Sequence, residues 1–171
     1  AYDNDEGLNT GGMGTIAPNP LYTEAIAAEC MENIFMPTIK AMAAEGRPFK
    51  GCLYFGLMLT PKGARVIEYN CRFGDPETQV VLPLLKTDLL TVMTAVSNGT
   101  LKDTAVEFSN KSACCVIMAS KGYPETYEKG YELKIGESVK NDTFVAGAAT
   151  KDGKLVTNGG RVLGVTAIAD D

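Results

Sequence analysis

The run Ile67-Glu-Tyr-Asn-Cys-Arg-Phe-Gly-Asp-Pro-Glu-Thr-Gln79 leaves the chain few folding options, because an alternating segment must pass at Gly74 straight into one that starts a helix. Alternate side chains of a strand share a face, so Glu68, Asn70 and Arg72 fall on one side. Ile67, Tyr69, Cys71 and Phe73 fall on the other and read as core. Neighbours on the polar face stand roughly 6.6 Å apart along the strand, near enough for their side chains to converge on one ion. Gly74 permits a sharp turn, Asp75 is a fit helix cap, Pro76 suits a first helical turn and Glu77 complements the helix dipole. N–H groups at a helix start attract anions, so two oxygen donors, a guanidinium and that start together read as a phosphate and metal site. The spacing alone equally describes an edge strand with a wet face.

A second feature lies near the start, where Gly11, Gly12 and Gly14 follow Leu8-Asn-Thr10. Such a loop reads either as a mobile turn or as a nest that reaches positive φ and turns successive N–H groups toward one anion. It lacks the lysine of a P-loop and the strand–turn–helix frame of a dinucleotide fingerprint.

Periodicity supplies the rest of the organisation. Thr23 caps a helix that runs through Phe35, continues or restarts at Pro37 and ends by Gly46, with Ile26, Cys30 and Ile34 as its core stripe. Met31 and Met36 are expected to pack against a sheet. Strand-like runs over residues 51–60 and 64–71 flank Pro61-Lys-Gly63 and predict a hairpin. A further helix spans about residues 88–96 and stops at Ser97-Asn-Gly-Thr100. Beyond a boundary near residue 104 the pattern turns to strands over 112–120, 144–150, 155–156 and 161–168, a small, mostly β domain. The predicted class is therefore α+β with mixed α/β character.

Several chemistries are disfavoured. The chain has no histidine, the commonest general base and zinc ligand. Its five cysteines form no C-x-x-C pair and read as buried thiols, with Cys114 and Cys115 on opposite faces of a strand. Sixteen basic residues are dispersed among 21 acidic ones, for a net charge of −5, so no field favours nucleic acid. No apolar run approaches membrane-spanning length, and no signal-peptide pattern is present.

Three segments, Asn9-Thr-Gly-Gly-Met-Gly14, Val66 through Gln79, and Val156-Thr-Asn-Gly-Gly-Arg-Val-Leu163, together resemble the phosphoribosylamine–glycine ligase family, also called glycinamide ribonucleotide synthetases, which are ATP-grasp enzymes of purine biosynthesis. The resemblance implies that residues 1–104 are the C-terminal part of the ATP-grasp domain and that 105–171 are a truncated, mostly β C-terminal domain. Glu68 and Asn70 would then be ligands for Mg2+ or Mn2+ bridging the phosphates of ATP, the co-substrate. Arg72 would act catalytically by steadying charge on the transferring phosphoryl group. Asp75 would meet the sugar and Arg161 its phosphate, beside a substrate loop of Gly11, Gly12 and Gly14. From the residues alone, Asp75 is equally a helix cap and Arg161 equally a solvated strand-end charge. The substrates implied are glycine, 5-phosphoribosylamine and ATP, in the cytoplasm, with neither nucleic acid nor membrane as partner. The chain begins inside a polar loop and stops just after a strand-like run, so it is expected to be an inactive piece lacking the family's N-terminal domain and ATP lid. Alternatives are another ATP-grasp carboxylate–amine ligase and a non-catalytic phosphate-binding module.

Overall fold

The computed structural model describes residues 2–170. In chain order the regular elements are β1 (Gly14–Ala17), α1 (Glu24–Cys30), a π-helical stretch (Met31–Phe35), α2 (Met36–Ala44), β2 (Tyr54–Thr60), β3 (Gly63–Asn70), α3 (Thr78–Leu84), α4 (Leu89–Asn98), β4 (Ser112–Ala119), β5 (Thr143–Val145), β6 (Ala148–Lys151), β7 (Lys154–Thr157) and β8 (Arg161–Ala169). They form two compact units that interleave in sequence. One holds Pro18–Gly74 and Leu85–Ser109; the other holds the residues up to 17, Asp75–Leu84 and the residues from 110 onward.

In the first unit, Thr23 starts α1 as expected, its Oγ1 accepting from the Ile26 N–H at 3.4 Å. Cys30 is buried and Ile26 and Ile34 are half-buried, which matches the predicted stripe. The helix does not break at Pro37 but passes through the π-helical turn. In that wider turn the Met36 N–H returns to the Met31 carbonyl, five residues back. Met31 and Met36 remain 51% and 43% exposed, contrary to the expected packing against a sheet. Gly46, at φ 73°, closes α2, with the Gly46 and Arg47 N–H groups returning to the carbonyls of Ala43 and Met42.

β2 and β3 form the predicted antiparallel hairpin, turning at Pro61 and Lys62. A bulge intervenes, because Gly56 faces Glu68 while Leu57 faces Val66, so Ile67 has no direct partner. An extra residue breaks the two-residue alternation. The apolar side of the 67–73 run is not core: Ile67 is 62% and Tyr69 52% exposed, and Cys71 is exposed as well. Phe55 stacks between Phe35 and Tyr69, with ring centroids at 4.5 and 5.4 Å, and ties the ribbon to the helix. Asp88 caps α4 and Gly99 ends it in a left-handed conformation, close to the predicted bounds.

In the second unit, β1, β4, β8 and β5 make a four-stranded sheet in that order, every pair antiparallel. Val80 and Leu84 of α3 pack on Ala113, Cys115 and Ile117, with Met13, Ala17 and Val81 around them. Strand alternation puts Cys115 in this core and Cys114 outside it, so the expectation of five buried thiols fails at Cys71 and Cys114. The expected strand over 144–150 is divided. The Ala146 and Gly147 N–H groups still donate to the Val162 and Arg161 carbonyls of β8 at 2.9 Å, and from Ala148 the chain joins a separate β6–β7 hairpin, just past the place where a Cβ on Gly147 would meet the Gly159 Cα at 2.8 Å. That hairpin turns through Asp152 and Gly153, both at positive φ.

Candidate functional site

Two groups of the sequence-predicted residues come together, one in each unit. On the hairpin, the Asn70 Nδ2 donates to Glu68 Oε1 at 2.9 Å, so the two side chains meet on one face of β3. Gly56, across the ladder, makes this possible, since a Cβ there would stand 2.9 Å from the Glu68 Cγ. Carboxylate and amide oxygens are hard donors of the kind divalent magnesium or manganese takes, with the remaining positions left to phosphate and water. Arg72 lies two residues beyond the strand end, where its Nη1 donates to the Phe73 carbonyl at 2.8 Å. No hydrogen bond joins it to Glu68 or Asn70 among the described residues.

The other group gathers Gly11, Gly12, Asp75 and Arg161 from three distant stretches of chain. Arg161 opens β8, and its Nη1 donates to the carbonyls of Gly12 (3.1 Å) and Asp75 (2.9 Å), while Nη2 donates to Asp75 Oδ2 (3.0 Å). A guanidinium has five N–H donors. The Nε–H and the second Nη2–H meet no acceptor among the described residues, and these two form a parallel fork suited to two oxygens of one anion. The pair is partly open, with 24% of the Arg161 side chain and 46% of the Asp75 side chain exposed.

Glycine is required here for space. A Cβ on Gly11 would lie 2.8 Å from the Arg161 Cζ and 3.0 Å from its Nε and Nη2, and one on Gly12 would lie 2.5 Å from the Pro76 Cδ. None of Gly11, Gly12 and Gly14 has positive φ, so the loop is not the expected left-handed nest. Gly14 begins β1 opposite Val116, where a Cβ would press at 3.0 Å on the Cys115 carbonyl. Asp75 stands before α3, which starts at Thr78 and not at Pro76. Its carboxylate is held laterally, Oδ1 by Gln79 Nε2 at 2.8 Å and Oδ2 by Arg161.

Sequence reasoning passed over Gln79 and Tyr123. Gln79 follows Asp75 by four residues, the spacing of side chains on one helix face, and that offset was the available signal. The Tyr123 hydroxyl accepts the Gly11 N–H at 3.3 Å, from the turn over residues 121–124 that follows β4. A cavity of about 850 Å³ lies along the same turn, lined by Ser120, Tyr127, Glu128 and Tyr131 among others. There the Tyr131 hydroxyl donates to Glu128, whose carboxylate raises the phenol's pKa.

The carboxylate–amide pair on the hairpin of one unit and the arginine fork in the sheet of the other are each of a chemistry that suits an enzyme handling phosphates. Residues 1–78 match the phosphoribosylglycinamide synthetase ATP-grasp (A) domain, and residues 113–171 match the C domain of the same synthetase. The chain belongs to the phosphoribosylglycinamide synthetase family of ATP-grasp ligases. It is 53% identical over 171 residues to the phosphoribosylamine–glycine ligase of Caldanaerobacter subterraneus subsp. tengcongensis, covering 99% of this chain and 41% of that protein. It is 50% identical over 173 residues to the trifunctional purine biosynthetic protein adenosine-3 of Gallus gallus, covering 99% of this chain and 17% of that one. The crystal structure of phosphoribosylamine–glycine ligase from Thermotoga maritima superposes with a TM-score of 0.84 at 39% identity, over 98% of this chain and 41% of that one. The chain thus spans about two fifths of the length of the single-function ligases it matches.

Proposed function

We propose that this chain is part of a phosphoribosylamine–glycine ligase, which joins glycine to 5-phosphoribosylamine at the expense of ATP, giving glycinamide ribonucleotide, ADP and phosphate. The observation that carries the reading is the convergence of Asp75 and Arg161 on the Gly11-Gly12 loop, an arginine fork prepared for a two-oxygen anion beside a carboxylate able to accept from sugar hydroxyls. In the complete enzyme, the glycine carboxylate attacks the γ-phosphoryl group of ATP, and the amine of phosphoribosylamine then displaces phosphate from the resulting glycyl phosphate.

Glu68 and Asn70 would hold Mg2+ or Mn2+, the Asn70 amide turning its Oδ1 toward the ion. Bound there, the ion supplies charge neutralisation along the phosphates of ATP. Arg72 is read as the guanidinium that steadies the transferring phosphoryl group once released from the Phe73 carbonyl. Asp75 orients the ribose, Arg161 anchors the sugar phosphate, and the glycines keep the approach clear. Catalysis of this kind is mostly alignment and electrostatic stabilisation. The metal-bearing part of residues 1–104 and the β part of 105–171 are read as belonging to the ATP-grasp and C-terminal domains. The family's N-terminal domain and ATP lid complete the site, so the 171-residue chain by itself should not turn over. A cytoplasmic setting fits these small-molecule substrates. Among the described residues, no helix is long and apolar enough to cross a membrane.

The test is ADP release by the complete enzyme, with glycine and phosphoribosylamine added separately and then together. Release only with both, falling about 100-fold in Glu68→Ala at ordinary magnesium, is expected. Release that needs a different acid or amine would move the chain to another ATP-grasp reaction, and near-normal turnover by Glu68→Ala would remove the metal assignment.

A further inference from the structure

We propose that Tyr123 is a positioning residue for the anion-binding fork of Arg161. The inference rests on reading that fork as the site of the substrate's phosphate.

The turn that carries Tyr123 is built on the backbone leading into Arg161. The Ser120 N–H donates to the Gly160 carbonyl and the Ser120 hydroxyl to the Gly159 carbonyl, both at 2.7 Å, and the Tyr123 N–H returns to the Ser120 carbonyl at 3.0 Å. The Tyr123 ring lies directly over Gly160, where any Cβ would overlap it. From this base the phenol reaches across to the glycine loop, its oxygen accepting the Gly11 N–H at 3.3 Å. Gly11 in turn lies over the guanidinium of Arg161, where a Cβ would meet Cζ at 2.8 Å and Nε and Nη2 at 3.0 Å, beside the edge that the protein leaves open.

These contacts close a ring from Gly160 through Tyr123 and Gly11 back to Arg161. Within it, the hydroxyl sets how far Gly11 stands from the guanidinium. Asp75 and the Gly12 carbonyl hold the opposite edge of Arg161, so they aim the fork without controlling what covers it. Without the phenol oxygen, the Gly11 N–H loses its partner and the loop gains freedom to settle over the fork. The cost should fall on binding of the phosphorylated substrate and not on phosphoryl transfer from ATP.

The experiment compares Tyr123→Phe and Arg161→Ala in the complete enzyme, with separate KM values for phosphoribosylamine, glycine and ATP, kcat, the inhibition constant of inorganic phosphate against phosphoribosylamine, and the melting temperature. Phenylalanine keeps the ring on Gly160 and removes only the hydroxyl. Tyr123→Phe should raise the KM for phosphoribosylamine and weaken phosphate inhibition about 3- to 10-fold, the effect of one neutral hydrogen bond. The kcat, the other two KM values and the melting temperature should hold. Arg161→Ala should raise the same KM about 10- to 100-fold, as for a charged hydrogen bond. If Arg161→Ala has its effect while Tyr123→Phe changes nothing, or raises all three KM values alike, the positioning role is overturned and the phosphate site stands. An unchanged KM in Arg161→Ala overturns the phosphate site and this role together.

Discussion

Gly11, Gly12 and Gly56 matter for the atom they lack, since in each case a Cβ would press into a side chain that the site uses or rests on. In the complete enzyme, Gly56→Ala should push Glu68 aside and raise the magnesium concentration for half-maximal activity several-fold, with kcat recovering at saturating metal. An unchanged metal dependence would show that Glu68 does not need the space opposite it. Cysteine burial gives a second check at this scale. Cys71 and Cys114 are exposed and Cys30 and Cys115 buried, while burial raises the pKa of Cys52 and keeps it a thiol. The thiolate is the reactive form, so limited alkylation of this chain near neutral pH followed by mass spectrometry should find Cys71 and Cys114 modified first and Cys52 lagging. Early modification of Cys30 or Cys115 would contradict the packing described. Glu68 and Asn70 stand out by residue type and spacing, whereas Asp75 and Arg161 were singled out only by the family resemblance, each having an equally plain local reading as a cap or a strand-end charge. Tyr123 was not, because its part depends on Gly11, more than a hundred positions earlier.

Elements whose ends carry their own chemistry follow the sequence closely. Asp88 Oδ2 accepts from both the Thr91 N–H (2.8 Å) and the Thr91 hydroxyl (2.9 Å), and Gly99 supplies the left-handed close of α4. Asp88→Ala should cost about 1 kcal/mol, read as a lower denaturation midpoint in urea with unchanged slope. An unchanged midpoint would mean that the cap contributes nothing net. Elements that depend on a partner departed from expectation. Alternation over residues 67–73 predicted an apolar face, but the bulge at Ile67 appears only once β2 lies beside β3. Likewise the apparent strand over 144–150 serves two sheets, a change of partner that local propensity does not encode.

Across the whole molecule, the two units draw on alternating stretches of chain, so β1 and α3 share a core with β4, which follows β1 by about a hundred residues in sequence. Leu84, 6% exposed, is central to that core. Leu84→Ala should destabilise the unit by about 2–4 kcal/mol, and a thermal scan showing no loss would mean that α3 is not integral to it. The sequence by itself determined the start of α1, the hairpin, the strand-rich second part and the residue types proposed to hold metal and phosphate, because each rests on short-range sterics or on side-chain chemistry. Tertiary structure alone decided which faces are covered, where the β3 ladder slips, and that Gly11, Asp75, Tyr123 and Arg161 meet. The physical reason is that burial, register and convergence are properties of pairs of segments, and no single segment carries the energy of its partner.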